Sequence, residues 1–491
     1  VSPSGSDANN GLGPDASAAT NKPWLTIGKA LGASGIASGD TVYLAPGVYR
    51  EVVTVNMTSA TAETKVLGDP ANAQGFKNGS GVLLAPGQVQ WTAYTTNDKT
   101  APGGTLLNLN ARDFLTFQNI LLVGGNGVIV LATTTTSTDC KFVDCGFLIG
   151  HVGSQRLIDV TAAFNTALNW TFDRCFFIGG ASDSLRFTLT TGTGADYDAN
   201  VLIENSLFVS GGGISISVAA SGASANKGGG IRARNCTAIK RSEFMLTAAN
   251  VSATIACTVN NCAILGMGNS AVALNANTSG QITEDYNLIQ AATPRTNVTA
   301  GTHSISDGSY APLFSFGQTR IFGMNLRPFG EPWTSSPLLA FGNDGTQTAY
   351  DLRHNPRPAG GASASPAIGA LERSNTWAQE TGTVRTGSNA LSITGPGYQD
   401  FDIPVDATST TVSVYMRYDS TYAGTKPQIQ VLNGGECGVT DDTSSAVVTV
   451  NSWEQLSLTF TPTRAGIVTI RLLSSDTNGA GKAFSDDFAV A

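Results

Sequence analysis

Charge is scarce in this chain. Only 13% of its 491 residues are Asp, Glu, Lys or Arg, so its solubility rests on Thr, Ser, Asn and Gly. Acids outnumber bases by 36 to 28, and a net charge of −8 excludes the basic footprint of a nucleic-acid binder. No apolar run approaches the roughly 18 residues that a membrane-spanning helix needs, so no such span is expected. Histidine is almost missing: His151, His303 and His354 stand far apart in the sequence and make no metal set. The seven cysteines are odd in number and are not spaced as a zinc site. The GxSxG, HExxH and P-loop patterns are lacking. Gly211-Gly-Gly213 and Gly228-Gly-Gly230 read as turns rather than phosphate cradles, because no helix pattern follows them. Disorder is excluded as well, since 41% hydrophobic residues with strand periodicity can bury a core.

What the chain does have is a repeat. Phe117-Gln-Asn-Ile120, Phe142-Val-Asp-Cys145, Phe172-Asp-Arg-Cys175, Ile203-Glu-Asn-Ser206, Ala233-Arg-Asn-Cys236, Val259-Asn-Asn-Cys262 and Thr283-Glu-Asp-Tyr286 are near-copies whose last positions step by 25, 30, 31, 30, 26 and 24. A period of this size marks stacked units, none of which can bury its own apolar face alone. The units are rich in Val, Ile, Phe and Thr, with Gly, Asn and Ser between them, so each is built of strands and turns. An all-β parallel β-helix with one coil per repeat is therefore expected. Alternation assigns the faces. Cys140, Trp170, Val201, Ile231 and Cys257 point inward, as do Phe142, Phe172, Ile203, Ala233 and Val259. Lys141, Thr171, Leu202, Arg232 and Thr258 point outward, as do Val143, Asp173, Glu204, Arg234 and Asn260. Asp144, Arg174, Asn205, Asn235 and Asn261 then fit a sharp turn, where Asn and Asp tolerate left-handed backbone angles. Segments such as Leu157-Ile-Asp-Val160 and Ile214-Ser-Ile-Ser-Val218 supply a second strand per coil. Cys145, Cys175, Cys236 and Cys262 share one column and are expected to stack inside as small, unbridged hydrophobes.

The ends of the repeat have their own patterns. Residues 1 to about 50 read as a cap, in which Trp24, Ile27, Ala30 and Leu31 lie at helical spacing and would cover the open end of the solenoid. Val1-Ser-Pro-Ser-Gly-Ser-Asp7, Trp24-Leu-Thr-Ile-Gly-Lys-Ala-Leu31 and Gly39-Asp-Thr-Val-Tyr-Leu-Ala-Pro-Gly-Val-Tyr-Arg50 resemble the opening of secreted bacterial right-handed β-helix proteins of the pectate-lyase-like superfamily. Asp351-Leu-Arg-His-Asn-Pro-Arg-Pro358 and Ser365-Pro-Ala-Ile-Gly-Ala-Leu-Glu372 resemble their closing segment, where His354 would be structural. The resemblance covers residues 1–373 and implies a right-handed parallel β-helix. It implies no single chemistry, since that superfamily includes lyases, hydrolases, epimerases, phage tailspikes and adhesins. After Glu372 the period stops. Shorter alternating strands over 377–491, including Val447-Val-Thr-Val450, predict a β-sandwich. Val384-Arg-Thr-Gly-Ser-Asn-Ala-Leu391, Trp453-Glu-Gln-Leu-Ser-Leu-Thr-Phe-Thr-Pro462 and Phe484-Ser-Asp-Asp-Phe488 resemble jelly-roll carbohydrate-binding modules. The chain opens at Val1 rather than Met, so it is expected to be a processed, secreted or cell-surface product whose signal peptide has been removed.

Two groups of charged residues are candidate catalytic positions. A β-helix lyase needs a Lys or Arg base and a way to neutralise the substrate carboxylate, often Ca²⁺ held by acids. A hydrolase needs clustered carboxylates. Asp173, Glu204 and Arg234 fall in one outward column at a rung spacing of about 4.8 Å, a geometry that could hold a cation or a sugar or could be a surface ion-pair ladder. Lys240, Arg241 and Glu243 form the densest charge cluster of the repeat region, which is either functional or a solvated turn. In the C-terminal module Asp486 and Asp487 stand where related modules bind a structural Ca²⁺, with Glu380 as a partner, and Tyr418 and Tyr422 either stack on sugars or pack. The function expected on balance is that of an extracellular structural or adhesive protein: an appendage, filament or spike subunit that binds itself or a polysaccharide. The alternative is a polysaccharide lyase or hydrolase acting on an acidic polysaccharide.

Overall fold

The computed structural model describes residues 1–58, 61–95, 104–124, 127–132, 137–149, 156–163, 168–179, 184–190, 199–209, 213–219, 228–239, 246–249, 255–265, 272–291, 293–306, 320–321, 324–325, 378–387, 390–395, 397–405, 408–432, 439, 442–444, 449–462, 466–476 and 481–490. The chain divides into two compact units, Val1–Leu313 with Thr334–Glu372 and Phe314–Trp333 with Arg373–Ala491. Among the described residues no helix is long and apolar enough to cross a membrane.

The first unit is a parallel β-helix. Its described strands form three parallel sheets of nine, ten and nine strands, and consecutive rungs are neighbours in every sheet. The first sheet comprises Thr41–Leu44, Thr64–Gly68, Leu115–Gln118, Lys141–Val143, Thr171–Asp173, Val201–Glu204, Gly228–Arg234, Ile255–Asn260 and Ile282–Asp285. The second runs from Gly47–Arg50 to Ile305–Ser306, and the third from Val53–Thr54 to Thr293–Thr296. Each coil thus has three strands where the sequence suggests two. The Pro46-Gly47 turn marks the corner at the first rung, but from Leu115–Gln118 onward only two residues, such as Asp144 and Cys145, separate the first sheet from the second, so the second sheet is hidden there in the sequence.

That corner is a left-handed residue repeated seven times. Asn119, Asp144, Arg174, Asn205, Asn235, Asn261 and Tyr286 all have φ between 50° and 56°. Asn and Asp dominate because their short polar side chains make this conformation cheaper than it is for other L-residues. A second left-handed column, Phe114, Asp139, Asn169 and Asn200, leads into the first sheet and is tied from rung to rung. Asn169 Nδ2 donates to Asp139 Oδ1 at 3.1 Å, and Asn200 Nδ2 donates to Asn169 Oδ1 at 2.5 Å.

Inside, like stacks on like. Phe117, Phe142 and Phe172 lie in register and their rings stack at 5.1 and 5.4 Å; Phe147, Phe177 and Phe208 form a second stack at 4.9 and 4.7 Å. Trp170 closes the space between sheets, tilted at 6.0 Å from Phe172 and edge-on at 6.3 Å to Phe187. The four-residue helix Ile27–Ala30 covers the top of this core with Ile27, Ala30 and Leu31, all buried. Thr26 caps its N-terminus, and Glu51 accepts the Ile27 and Gly28 amides at 2.7 and 2.9 Å.

The cysteine column is buried and its thiols are free. Each thiol donates to the carbonyl of the inward residue one rung earlier: Cys145 to Phe117, Cys175 to Phe142, Cys236 to Ile203 and Cys262 to Ala233, at 3.3–3.7 Å. Burial raises the Cys145 thiol to about 12, and that of Cys257, which belongs to the neighbouring inward column, to about 11. The six described cysteines are expected to ignore an aromatic disulfide reagent in the folded protein and to react together once guanidinium opens the rungs. Prompt release of more than one equivalent of chromophore under native conditions would place some of them at the surface.

The structure corrects the sequence register at the last rung. Asn260 pairs with Asp285 and Ala263 with Leu288, so the residue stacked on Cys262 is Asn287 and the final step is 25 residues, not 24. Tyr286 takes the left-handed corner instead. Glu284 therefore occupies the position of Val259 and the phenylalanines above it, with a side chain 0% exposed. Its carboxylate accepts from Arg295 Nε at 2.7 Å, Asn287 Nδ2 at 2.7 Å, Ser304 Oγ at 2.5 Å and Gly301 N at 2.8 Å. The core column thus ends in a carboxylate that draws the following loop over the final rung. Gly228–Gly230 is also not a turn. It begins the strand Gly228–Arg234, with a register shift between Gly229 and Arg232, a bulge that residues without side chains accommodate easily.

Among its described residues the second unit has two larger antiparallel sheets, beside the two-stranded pair Arg320–Ile321 and Met324–Asn325. One orders Ala378–Glu380, Ala390–Thr394, Lys482–Val490, Thr410–Tyr418 and Glu454–Phe460; the other orders Gly397–Val405, Gly466–Asp476, Gly424–Leu432 and Asp442–Ser444. Alternate residues of both, among them Val412, Val414, Met416, Ile429, Val431, Ile470 and Leu472, share one buried cluster, which makes the pair a β-sandwich. Thr449 and Val450 lie in a turn rather than a strand, and residues 447–448 are outside the described residues.

Candidate functional site

The outer face of the first sheet is built from two columns of side chains. Register places Thr41, Lys65, Thr116, Lys141, Thr171, Leu202, Arg232 and Thr258 in one. It places Tyr43, Leu67, Gln118, Val143, Asp173, Glu204, Arg234, Asn260 and Asp285 in the other. Hydroxyls, amides and charges share this face with Leu67, Val143 and Leu202.

Asp173, Glu204 and Arg234 are adjacent, on successive rungs. Arg234 donates through Nε and Nη2 to Glu204 Oε2 at 2.7 and 2.6 Å. Glu204 is 9% exposed, and burial raises its carboxyl above the ordinary range against the pull of Arg234. Three corner residues that the sequence reading left as turn formers, Asp144, Arg174 and Asn205, join the cluster. Arg174 is ion-paired with Asp173 and donates through Nε to Asp144 Oδ1 at 2.8 Å, while Asn205 Nδ2 donates to Asp173 Oδ1 at 3.1 Å. The signal was an Arg in a column otherwise of Asn and Asp. Nearer the cap, Glu63 accepts from Thr116 Oγ1 at 2.7 Å and Lys141 Nζ at 3.1 Å, with Lys65 Nζ at 3.4 Å. The Thr116 hydrogen bond and the two lysines hold its carboxyl down at about 2. Glu63 escaped the sequence reading because it lies just outside the strand columns. Lys240, Arg241 and Glu243 lie outside the described residues, as do His151 and His354.

The lower end of the same face carries an acid–imidazole pair. His303 Nδ1 lies 2.9 Å from Asp285 Oδ2, its backbone N–H donates to Asp285 Oδ1 at 2.9 Å, and its ring stacks on Tyr286 at 4.3 Å. Among the described residues no group of three or more His, Cys, Asp or Glu is placed to hold a metal ion.

In the sandwich, Asp486 Oδ2 accepts the Arg385 and Thr386 amides at 2.8 and 3.2 Å. Asp487 is bound by the Thr386 hydroxyl at 2.5 Å and by the Arg385 guanidinium, which also lies 3.4 Å from the Tyr415 ring centroid. The hydrogen bond from Thr386, and then Arg385, keep the Asp487 carboxyl below its usual range. Glu380 Oε1 accepts the Gly382 amide at 2.7 Å. Arg385 therefore supplies Asp487 with positive charge from within the chain. Tyr418 is buried and Tyr422 packs on it at 5.5 Å, with its hydroxyl accepting the Ser475 amide, so both belong to the packing.

No protein-family profile matches the chain, and no curated protein matches it. Among solved structures it is similar to the pectate lyase Pel9A, at 15% identity and a TM-score of 0.42 over 76% of this chain and 95% of that one. It is also similar to the tailspike protein gp49 of Acinetobacter baumannii bacteriophage Fri1, a capsular polysaccharide depolymerase, at 12% identity and a TM-score of 0.28 over 91% of this chain and 82% of that one. A family 16 carbohydrate-binding module is similar to 23% of this chain and 84% of its own length, at 14% identity and a TM-score of 0.20. Fold and sheets define a parallel β-helix protein with an antiparallel two-sheet module.

Proposed function

We propose that this chain is a glycan-binding β-helix protein that acts by adhesion and assembly at extracellular surfaces, with the outer face of the first sheet as its binding surface. One observation supports it above the rest. Most acids on or beside that face are ion-paired with cations of neighbouring rungs or corners: Glu63 with Lys141, Asp144 and Asp173 with the one Arg174, and Glu204 with Arg234, while among the described residues Asp285 at its lower end is paired only with His303. A carboxylate closed by an arginine is a poor proton acceptor, whereas a flat strip of Thr, Gln and Asn with paired charges suits multiple hydrogen bonds to sugar hydroxyls. Calorimetric titration with polygalacturonate and with a neutral glucan should show binding, light scattering should show particles larger than a monomer, and neither polymer should be cleaved.

The alternative, cleavage of an acidic polysaccharide, is favoured by one feature. Glu204 carries a burial-raised carboxyl one rung from Asp173, and two acids with unequal environments are what acid–base cleavage uses. A monomer that cleaves polygalacturonate, and whose turnover disappears in Glu204→Gln while binding persists, would replace adhesion with that reading.

A further inference from the structure

Both outward columns of the first sheet begin inside a cleft. Thr41 and Tyr43, the head residues, line an open cavity of about 690 Å³ in the N-terminal cap, together with Trp24, Lys29, Gln74 and Phe76. The strand Thr41–Leu44 alternates exposed and buried residues, so both heads face outward while Val42 and Leu44 enter the core. Trp24 forms a fixed wall: its Nε1 donates to Asn9 O at 2.8 Å, and Gly11 lies so close to its ring that a Cβ there would come within 2.5 Å. Tyr43, at 38% exposure, is the open ring of the cleft. Among the described residues its hydroxyl and the Gln74 side-chain amide have no hydrogen-bond partner, although the Gln74 backbone N–H donates to Asp69 Oδ2 at 2.8 Å, while Lys29 Nζ reaches only Ser34 Oγ at 3.4 Å.

We infer that this cap cleft is a terminal subsite, which takes the end sugar of a glycan chain whose next residues run down the first sheet. The inference rests on the glycan-binding reading of that sheet and adds end recognition to it. An aromatic ring beside an unengaged hydroxyl and side-chain amide and a weakly held ammonium is suited to one face and the hydroxyl rim of a pyranose. The cleft lies at the head of the sheet, where Thr41 and Tyr43 pair with Lys65 and Leu67, the next residues of the two outward columns. Tyr43 and Glu204 stand five rungs apart, roughly 24 Å at strand spacing, so an oligosaccharide anchored at Tyr43 would lie across Gln118 and reach the Asp173–Glu204 pair.

The test is titration calorimetry with polygalacturonate and a neutral β-glucan, each intact and after partial acid hydrolysis, which multiplies chain ends without changing total mass. Binding sites per gram of polymer should rise with the number of ends. Tyr43→Ala and Gln74→Ala, both exposed side chains, should each weaken end-dependent binding, by about tenfold for Tyr43→Ala. If wild type binds but its capacity is the same before and after hydrolysis, and both variants bind as wild type does, the cleft is not a subsite and the sheet face stands alone. If wild type binds neither polymer, both the cleft and the sheet reading fall.

Discussion

Phe172→Ala should lower stability by about 3–5 kcal/mol, the usual cost of emptying a large aromatic site in a rigid core. Phe172 meets four other rings, as Phe142 does. It stacks on Phe142 at 5.4 Å, lies at 6.0 Å from Trp170, and meets Phe147 and Phe177 edge-on at 6.4 and 5.9 Å. A solenoid cannot collapse around such a hole as a bundle does, because hydrogen bonds in three sheets fix the distance between rungs. Phe172→Leu should retain most of the filling and cost less than half as much. Urea unfolding followed by tryptophan fluorescence gives both numbers. A loss below about 1 kcal/mol for the alanine variant would mean that the rings are not packed as described.

Glu284→Ala is the second large effect, and it should be local. Removal of the carboxylate strands Arg295, whose side chain is only 12% exposed, and leaves donors on Asn287, Ser304 and Gly301 without an acceptor. Breaking a buried ion pair from one side costs roughly 3–5 kcal/mol. The loss should appear as faster amide exchange over residues 293–306, with the upper rungs unchanged, because solenoid rungs communicate mainly with their neighbours. Glu284→Gln keeps the shape and one acceptor, so its effect should be intermediate. Unchanged protection of 293–306 in Glu284→Ala would show that the loop is held by something other than this carboxylate.

These two residues also mark how far the sequence could be read. Phe172 was legible because stacked rungs repeat their inward positions and aromatic side chains make the column conspicuous. The left-handed corner was legible for the same reason, since few residues tolerate its backbone and Asn recurs there. Glu284 was not. A carboxylate in a core column breaks the apolar rule by which columns are aligned, so matching apolar residues shifted the last rung by one. The second sheet was missed because its corner is only two residues long. Among candidate site residues, the Asp173, Glu204 and Arg234 column followed from register, whereas Arg174, Asp144 and Glu63 join it through side-chain reach, which periodicity does not encode. The cap cleft was illegible for a related reason: Gly11, Trp24, Gln74 and Tyr43 are brought together by loops with no repeat.

The buried thiols set a condition on how this protein must be made. Equivalent positions on neighbouring rungs lie about 4.8 Å apart, within the Cα separation that a disulfide can bridge. Cys145 and Cys175 occupy such positions, as do Cys236 and Cys262. In the finished fold their thiol hydrogens are committed to carbonyls and the sulfurs are buried. In the unfolded chain they are ordinary thiols. Parallel strands pair only after long stretches of chain have been gathered, so coiling is slow. Wherever the chain folds, rung closure therefore competes with oxidation. A cross-link formed too early would fix two rungs before the rings between them had found their stack, so the yield of native protein should depend on the order of these two events.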